Sequence, residues 1–232
     1  MHNTVYSARS KSPVPAIFLD RDGTINVEKN HIYHISDWEW IAGAKESLGR
    51  FKAAGFAVIV VSNQSGIARC MYTHEDVNHL HEQVIQQLDS DQPVIDAIYF
   101  CPHHPDFGSH TACECRKPEP GMLLRAAADL NIDLENSWIV GDKLSDLEAG
   151  VVVGVRAILV RTGHGAGQEA NVAPCTQVMD NLFEAALFIE AETSMNLHSS
   201  SMANTLSETI SLQQARPQAF APSLPSVDLE IK

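Results

Sequence analysis

Residues Ala57-Val58-Ile59-Val60-Val61-Ser62 form an apolar run with no polar interruption before its final serine, and further short apolar runs recur along the chain, separated by helical patterns. A strand that is apolar on both faces must be covered on both sides. Strands of this kind alternating with helices build a parallel sheet with crossover helices. The expected fold class is therefore α/β, a single Rossmann-like domain with a mainly parallel sheet and helices on both faces. Strands are expected at residues 16–20, 57–62, 95–100, 138–142 and 157–160. Helices are expected at 43–55, 73 to about 88, 121–130, 144–150 and 182–191, the second opened by Thr73 and Asp76 at capping-box spacing.

Charge and composition limit the partners. In 232 residues, 16 basic side chains face 29 acidic ones, giving a net charge of −13. That balance argues against a nucleic acid or an anionic membrane as the main partner, although a few basic residues in one pocket could still hold a small anion. With 44% hydrophobic residues the chain can bury a core. No run approaches the ~20 apolar residues that span a bilayer, and Met1–Pro15 lacks the apolar middle of a secretion signal. A cytoplasmic monomer is expected. The chain divides into an extension at 1–14, a domain at 15–192 carrying a loop insertion at 101–115, and a serine-rich tail at 193–232 expected to be flexible. Within that tail, Val227-Asp228-Leu229-Glu230-Ile231 offers the alternative of a docking strand.

Candidate chemistry gathers where strands are expected to end. Asp20 and Asp22 flank Arg21 at the carboxyl end of the first strand, the end at which open α/β sheets bind ligands. A divalent cation would relieve the repulsion between them, leaving one acid as nucleophile and the other to handle protons. Read alone, Asp-x-Asp-Gly is also an ordinary solvated turn. Three later segments add weight. Ser62-Asn63-Gln64-Ser65-Gly66 offers hydroxyl and amide donors to a phosphoryl group, and Arg116-Lys117-Pro118 brings positive charge to a helix start. Gly141-Asp142-Lys143-Leu144-Ser145-Asp146 adds oxygen ligands of the type that suits Mg²⁺, with Asp146 reading equally well as a first-turn acid.

The loop insertion has a separate logic. Cys101-x-His103 and Cys113-x-Cys115 supply three thiolates and one imidazole, the ligand types of a closed, structural zinc site. His104 and His110 are alternative ligands. Cys70 and Cys175 stand apart and read as small apolar side chains.

Taken in order, Asp20-Arg21-Asp22-Gly23-Thr24, Ser62, Lys117 and Gly141-Asp142-x-x-x-Asp146 resemble the four motifs of the haloacid dehalogenase-like phosphatases, over roughly residues 15–190. Longer matches narrow the resemblance. Phe18 to Asn26, Ser62 to Arg69, Cys101-Pro102-His103-His104-Pro105, Cys115 to Pro118 and Gly141-Asp142-Lys143 look like the D-glycero-D-manno-heptose 1,7-bisphosphate 7-phosphatases, close relatives of the histidinol-phosphate phosphatase domain. This resemblance implies that Asp20 attacks phosphorus to form an aspartyl phosphate. It implies that Asp22 protonates the departing sugar oxygen and then deprotonates water. Mg²⁺ would be held by the Asp20 and Asp142 carboxylates and the backbone carbonyl of Asp22, while Ser62 and Lys117 hold phosphoryl oxygens. Substrate contacts are implied for Arg21, Asn63, Gln64, Ser65, Arg69, Arg116, Lys143 and the segment Glu28-Lys29-Asn30-His31. The implied substrate is a small sugar bisphosphate used in ADP-heptose synthesis for lipopolysaccharide. A histidinol-phosphate phosphatase is the alternative enzyme. A catalytically silent binding protein is the alternative of another class, opposed by the presence of Asp20, Asp22, Lys117 and Asp142. Two departures stand out: Ser62 takes a position where threonine is common, and His31 replaces an expected tyrosine.

Overall fold

Each buried run folds as a strand, and two short segments add a further strand at each edge. In the computed structural model, which describes residues 1–88, 94–109 and 112–195, the strands are β1 (His2–Val5), β2 (Val14–Leu19), β3 (Ala57–Asn63), β4 (Ala97–Cys101), β5 (Ile132–Gly141), β6 (Arg156–Val160) and β7 (Gln177–Met179). They form one sheet in the order β1-β4-β3-β2-β5-β6-β7. All neighbours are parallel except β1, which runs antiparallel to β4. The helices are α1 (Ala44–Ala53), α2 (His74–Gln86), α3 (Gly121–Leu130), α4 (Leu144–Val151), α5 (Gly165–Gln168) and α6 (182–190).

Period-two alternation on the strands divides the core between the two faces. Ile17, Leu19, Val58, Val60 and Val140 pack with Leu48 and Phe51 of α1 and with Leu182 and Ile189 of α6. Their neighbours Ala16, Phe18, Ile59, Val61 and Ile139 pack on the other face with Met122, Leu123 and Ala126 of α3 and Ala149 of α4. Leu80 and Val84 of α2 instead pack with Ile32, Ile35, Trp38 and Trp40, so α2 supports the segment that follows β2. The capping box is present: the Thr73 N–H donates to Asp76 at 2.8 Å and the Asp76 N–H donates to Thr73 Oγ1 at 3.2 Å.

Five features differ from the sequence expectation. Residues 1–14 are more than an extension, because His2–Val5 pairs with β4 as a polar edge strand. β5 begins at Ile132, six residues before the apolar run, since its early polar residues pair only with the start of β2. β7 and α5 were not foreseen from the sequence. α2 ends at Gln86, slightly short of Leu88.

The chain separates into a unit at Met1–Glu190, which holds the sheet, and a second unit at Ala191–Lys232. Within the second unit residues 191–195 are helical, which includes the first three residues of the expected tail. Residues 196–232, with the alternation at Val227–Ile231, lie outside the described residues, as does His110. No helix among the described residues is long and apolar enough to cross a membrane.

Strand order places the chemistry. From β2 the chain moves outward through β3 and β4, then returns to the opposite side of β2 with β5. The carboxyl ends of β2 and β5 therefore border a topological switch point, where open sheets bind ligands.

Candidate active site

The loops leaving β2, β3, β4 and β5 converge on one cavity of about 350 Å³. It is lined by Asp20 and Asp22 after β2, by Ser62, Asn63, Gln64 and Ser65 at the end of β3, and by Arg116 and Lys117 before α3. Lys143, Ser145 and Asp146 line it from α4, and Glu28, Asn30, His31 and Tyr72 close its rim. Most of the residues expected to bind substrate or carry chemistry are thus brought together.

Charge pairing organises its floor. Lys117, 3% exposed, places Nζ at 2.7 Å from Asp20 Oδ1 and 2.8 Å from Asp146 Oδ1, and donates to the Val61 carbonyl at 2.6 Å. Burial pulls the lysine towards neutrality, but the Asp146 and Asp20 carboxylates outweigh it and hold the ammonium charged, above its ordinary range. Asp146 also accepts from the Lys143 N–H at 3.0 Å. Asp146 therefore caps the first turn of α4 while also facing the cavity.

Asp142 is fully buried. It accepts from the His164 N–H at 2.8 Å and from Lys143 Nζ at 3.1 Å. Gly23 and Gly163 make room for it, since a Cβ on either would collide with its carboxylate, and Gly23 also has φ +90°. Burial and the nearby Asp20 charge push the Asp142 carboxyl up to about 7. Carboxylate oxygens of Asp20, Asp142 and Asp146 all lie within 4.8 Å of one another.

Asp22 is held differently. It accepts from Arg21 Nε and Nη2, Asn26 Nδ2 and Gln64 Nε2, each at 3.0 Å. Burial raises its proton affinity, yet the Arg21 charge and these hydrogen bonds outweigh burial and keep its carboxyl below the ordinary range. Arg21 itself does not line the cavity. It is 1% exposed and also donates to the Ile32 carbonyl at 2.9 Å. Its guanidinium turns inward because the Ile32 carbonyl and His81 are buried there, and it meets Asp22 from behind the cavity wall.

Two other expected substrate contacts lie away from the cavity. Lys29 reaches out to Glu39 at 2.8 Å and the Asp37 carbonyl at 3.2 Å. Arg69 lies over the Phe107 ring, 4.1 Å from its centroid, with Nη2 3.0 Å from His104 Nε2. Both side chains satisfy themselves locally. Arg116 remains on the cavity wall and donates to the His103 carbonyl at 3.1 Å.

That last bond joins the cavity to the cysteine loop. Cys101, His103, Cys113 and Cys115 converge as a potential metal cluster. Cys115 Sγ lies 3.2 Å from Cys101 Sγ, 3.6 Å from Cys113 Sγ and 3.5 Å from His103 Nδ1, while Cys101 Sγ lies 3.7 Å from both Cys113 Sγ and His103 Nδ1. Cys101 ends β4 opposite Asn63, and its carbonyl accepts from the Gln64 N–H at 2.7 Å. His104 instead engages Arg69. Sequence reasoning missed Tyr72 and Asn26 as parts of this site. Asn26, four residues after Asp22, belongs to the first motif but carries no role of its own there, whereas Tyr72 carries no spacing signal at all.

Comparison with known proteins agrees with this geometry. A HAD-hydrolase-like family profile matches residues 114–185. The chain is 46% identical over 165 residues to D-glycero-beta-D-manno-heptose-1,7-bisphosphate 7-phosphatase from Yersinia pestis, covering 69% of this chain and 87% of that protein. Against the enzyme of the same name from Escherichia coli K12 the identity is 47% over 165 residues, covering 69% and 86%. The crystal structure of D,D-heptose 1,7-bisphosphate phosphatase from B. bronchiseptica, complexed with magnesium and phosphate, superposes with a TM-score of 0.70 at 33% identity, covering 77% of this chain and 99% of that one. With a shared fold and this identity over most of its relatives' length, the chain belongs to the heptose-bisphosphate phosphatase family of the haloacid dehalogenase-like hydrolases.

Proposed function

We propose that the protein is a Mg²⁺-dependent phosphatase that hydrolyses the 7-phosphate of D-glycero-D-manno-heptose 1,7-bisphosphate. The observation that carries this reading is the cavity itself, where Asp20, paired with Lys117, and Asp22, surrounded by donors, face one space. One acid attacks while the other manages protons.

In the first step a carboxylate oxygen of Asp20 bonds to phosphorus as the bond from phosphorus to the sugar oxygen breaks, and Asp22 gives its proton to that departing oxygen. Approach of the phosphoryl anion raises the proton affinity of Asp22, which readies it to serve as an acid. In the second step Asp22 takes a proton from water as the water oxygen bonds to phosphorus, and the bond to Asp20 breaks to release phosphate. Lys117 and Ser62 hold the phosphoryl oxygens throughout.

The residues fit a divalent cation, because buried carboxylates this close need positive charge to stay ionised. Asp20 and Asp142 would hold Mg²⁺ with the Asp22 carbonyl, and the ion would neutralise charge on the transferring group. The cysteine cluster fits Zn²⁺. With Zn–S near 2.3 Å a tetrahedral site has sulfur-to-sulfur edges of about 3.8 Å, and those between Cys101, Cys113 and Cys115 are 3.2 to 3.7 Å. Its role is structural: it shapes the loop whose His103 carbonyl holds Arg116.

Arg116 supports a bisphosphate over histidinol phosphate, whose amine calls for an acid. Glu28 is the rim acid available, and it is already within 3.7 Å of Lys143 Nζ and 3.8 Å of His164 Nε2. The product, a heptose 1-phosphate, would feed nucleotide-activated heptose synthesis. Five free cysteines support a reducing, cytoplasmic setting.

Asp20→Asn tests the covalent step. It should lower phosphate release by about a thousandfold or more while leaving the urea midpoint near wild type. Full activity in that variant would refute the mechanism.

A further inference from the structure

We infer that Tyr72 is a positioning residue for proton transfer, acting through Gln64 on Asp22. The inference rests on the proposed role of Asp22 and extends it to a side chain fifty positions away in sequence. Tyr72 is 5% exposed, and its hydroxyl donates to Gln64 Oε1 at 2.9 Å. An amide held at its carbonyl end must direct its NH₂ the other way. Gln64 Nε2 accordingly donates to Asp22 Oδ2 at 3.0 Å and to Ser62 Oγ at 2.8 Å.

Two consequences follow for the reacting groups. Gln64 shares Asp22 Oδ2 with Arg21 Nε, while Arg21 Nη2 and Asn26 Nδ2 hold Oδ1, so three residues together set the direction of the carboxylate. Ser62, acting as acceptor towards Gln64, keeps its own proton free to donate towards the cavity that it lines. A single phenol thereby orders both side chains through one amide.

Packing fixes the ring independently of its hydroxyl. Tyr33 stacks on it with centroids 5.0 Å apart and planes 23° apart, and it lies so close over Gly66 that a Cβ there would collide with it. Tyr72→Phe should therefore keep the ring in place while removing the hydroxyl that bonds Gln64 and the Gly66 backbone, leaving a buried amide oxygen without its donor.

The test uses leaving groups of unequal need. A sugar alkoxide must be protonated as it departs, whereas p-nitrophenolate leaves without help, so loss of acid positioning harms only the first. Turnover of the heptose bisphosphate by Tyr72→Phe should fall about tenfold with KM within about twofold, and turnover of p-nitrophenyl phosphate, which uses the ordered Ser62 but needs no acid, should fall clearly less, by about threefold at most. In a Gln64→Leu background the added Tyr72→Phe change should cost nothing further. Equal losses on both substrates, or a full tenfold loss that persists without Gln64, would overturn the inference. Asp22→Asn separates the two levels. If that variant also treats both substrates alike, the role of Asp22 as acid fails; if it discriminates while Tyr72→Phe does not, only the positioning role fails.

Discussion

Acid should destabilise this protein through His81. The imidazole is 2% exposed on α2, with Nε2 3.2 Å from Arg21 Nη1. A guanidinium only donates, so Nε2 must accept and the ring must be neutral, with its proton on Nδ1. Burial first, and the Arg21 charge second, push the imidazole from 6.5 down to about 3. Once unfolded, the same ring titrates near 6.5. Between those values the unfolded chain binds one more proton than the folded one, so the stabilising contribution is complete above pH 6.5 and is lost as pH falls towards 3. The slope is about 1.4 kcal/mol per pH unit well below 6.5, which amounts to about 2 kcal/mol between pH 7.5 and pH 5. At about 2–4 °C per kcal/mol for a chain of this size, the melting temperature should fall about 4–8 °C from this group alone. Other carboxylates and thiolates titrate in the same range, so the contrast with a variant isolates the term. His81→Gln keeps an acceptor for Arg21 and removes the titration. Urea unfolding of both proteins at pH 7.5, 6 and 5 should show the wild type losing about 2 kcal/mol more than the variant. Parallel curves would refute the neutral, buried imidazole.

Other perturbations have equally defined outcomes. Lys117→Met keeps most of the side-chain volume but leaves Asp20 and Asp146 without their shared cation. It should cost about 3–5 kcal/mol in urea unfolding and abolish phosphate release. Cys113→Ser removes one soft ligand, so elemental analysis should find zinc falling from stoichiometric towards none, and protease should cut the 102–113 segment faster. Retention of full zinc by that variant would place the metal on other ligands.

How far the fold could be read in advance depended on where each residue finds its partners. The apolar runs at 57–61 and 157–160, inside β3 and β6, are legible because burial on both faces demands uninterrupted apolar residues. β1 was not, because an edge strand facing solvent can be built from His2, Asn3 and Thr4 without any apolar pattern. The early half of β5 was hidden for the same reason, its Glu135 and Asn136 being exposed. Local chemistry was also legible. Thr73 and Asp76 find each other three residues apart, and Cys113 and Cys115 two apart. Arg21 read as a substrate contact because its neighbours in sequence are acids of the site. What turns it inward is the Ile32 carbonyl together with His81, sixty residues on, which nothing in the local sequence announces. Tyr72 is silent for a different reason: its partner Gln64 lies eight residues back in the same β3–α2 connection, a spacing that marks no regular element. Arg69 and Lys29 were assigned by position alone, and local acids, a ring and a histidine capture them instead.

Phosphate release measured with Mg²⁺ from both anomers of D-glycero-D-manno-heptose 1,7-bisphosphate, from histidinol phosphate and from an aryl phosphate, side by side, bears on the whole reading. The cavity described above predicts a preference for a heptose bisphosphate over histidinol phosphate by orders of magnitude. A preference for histidinol phosphate, or no release from any substrate by folded protein, would contradict it.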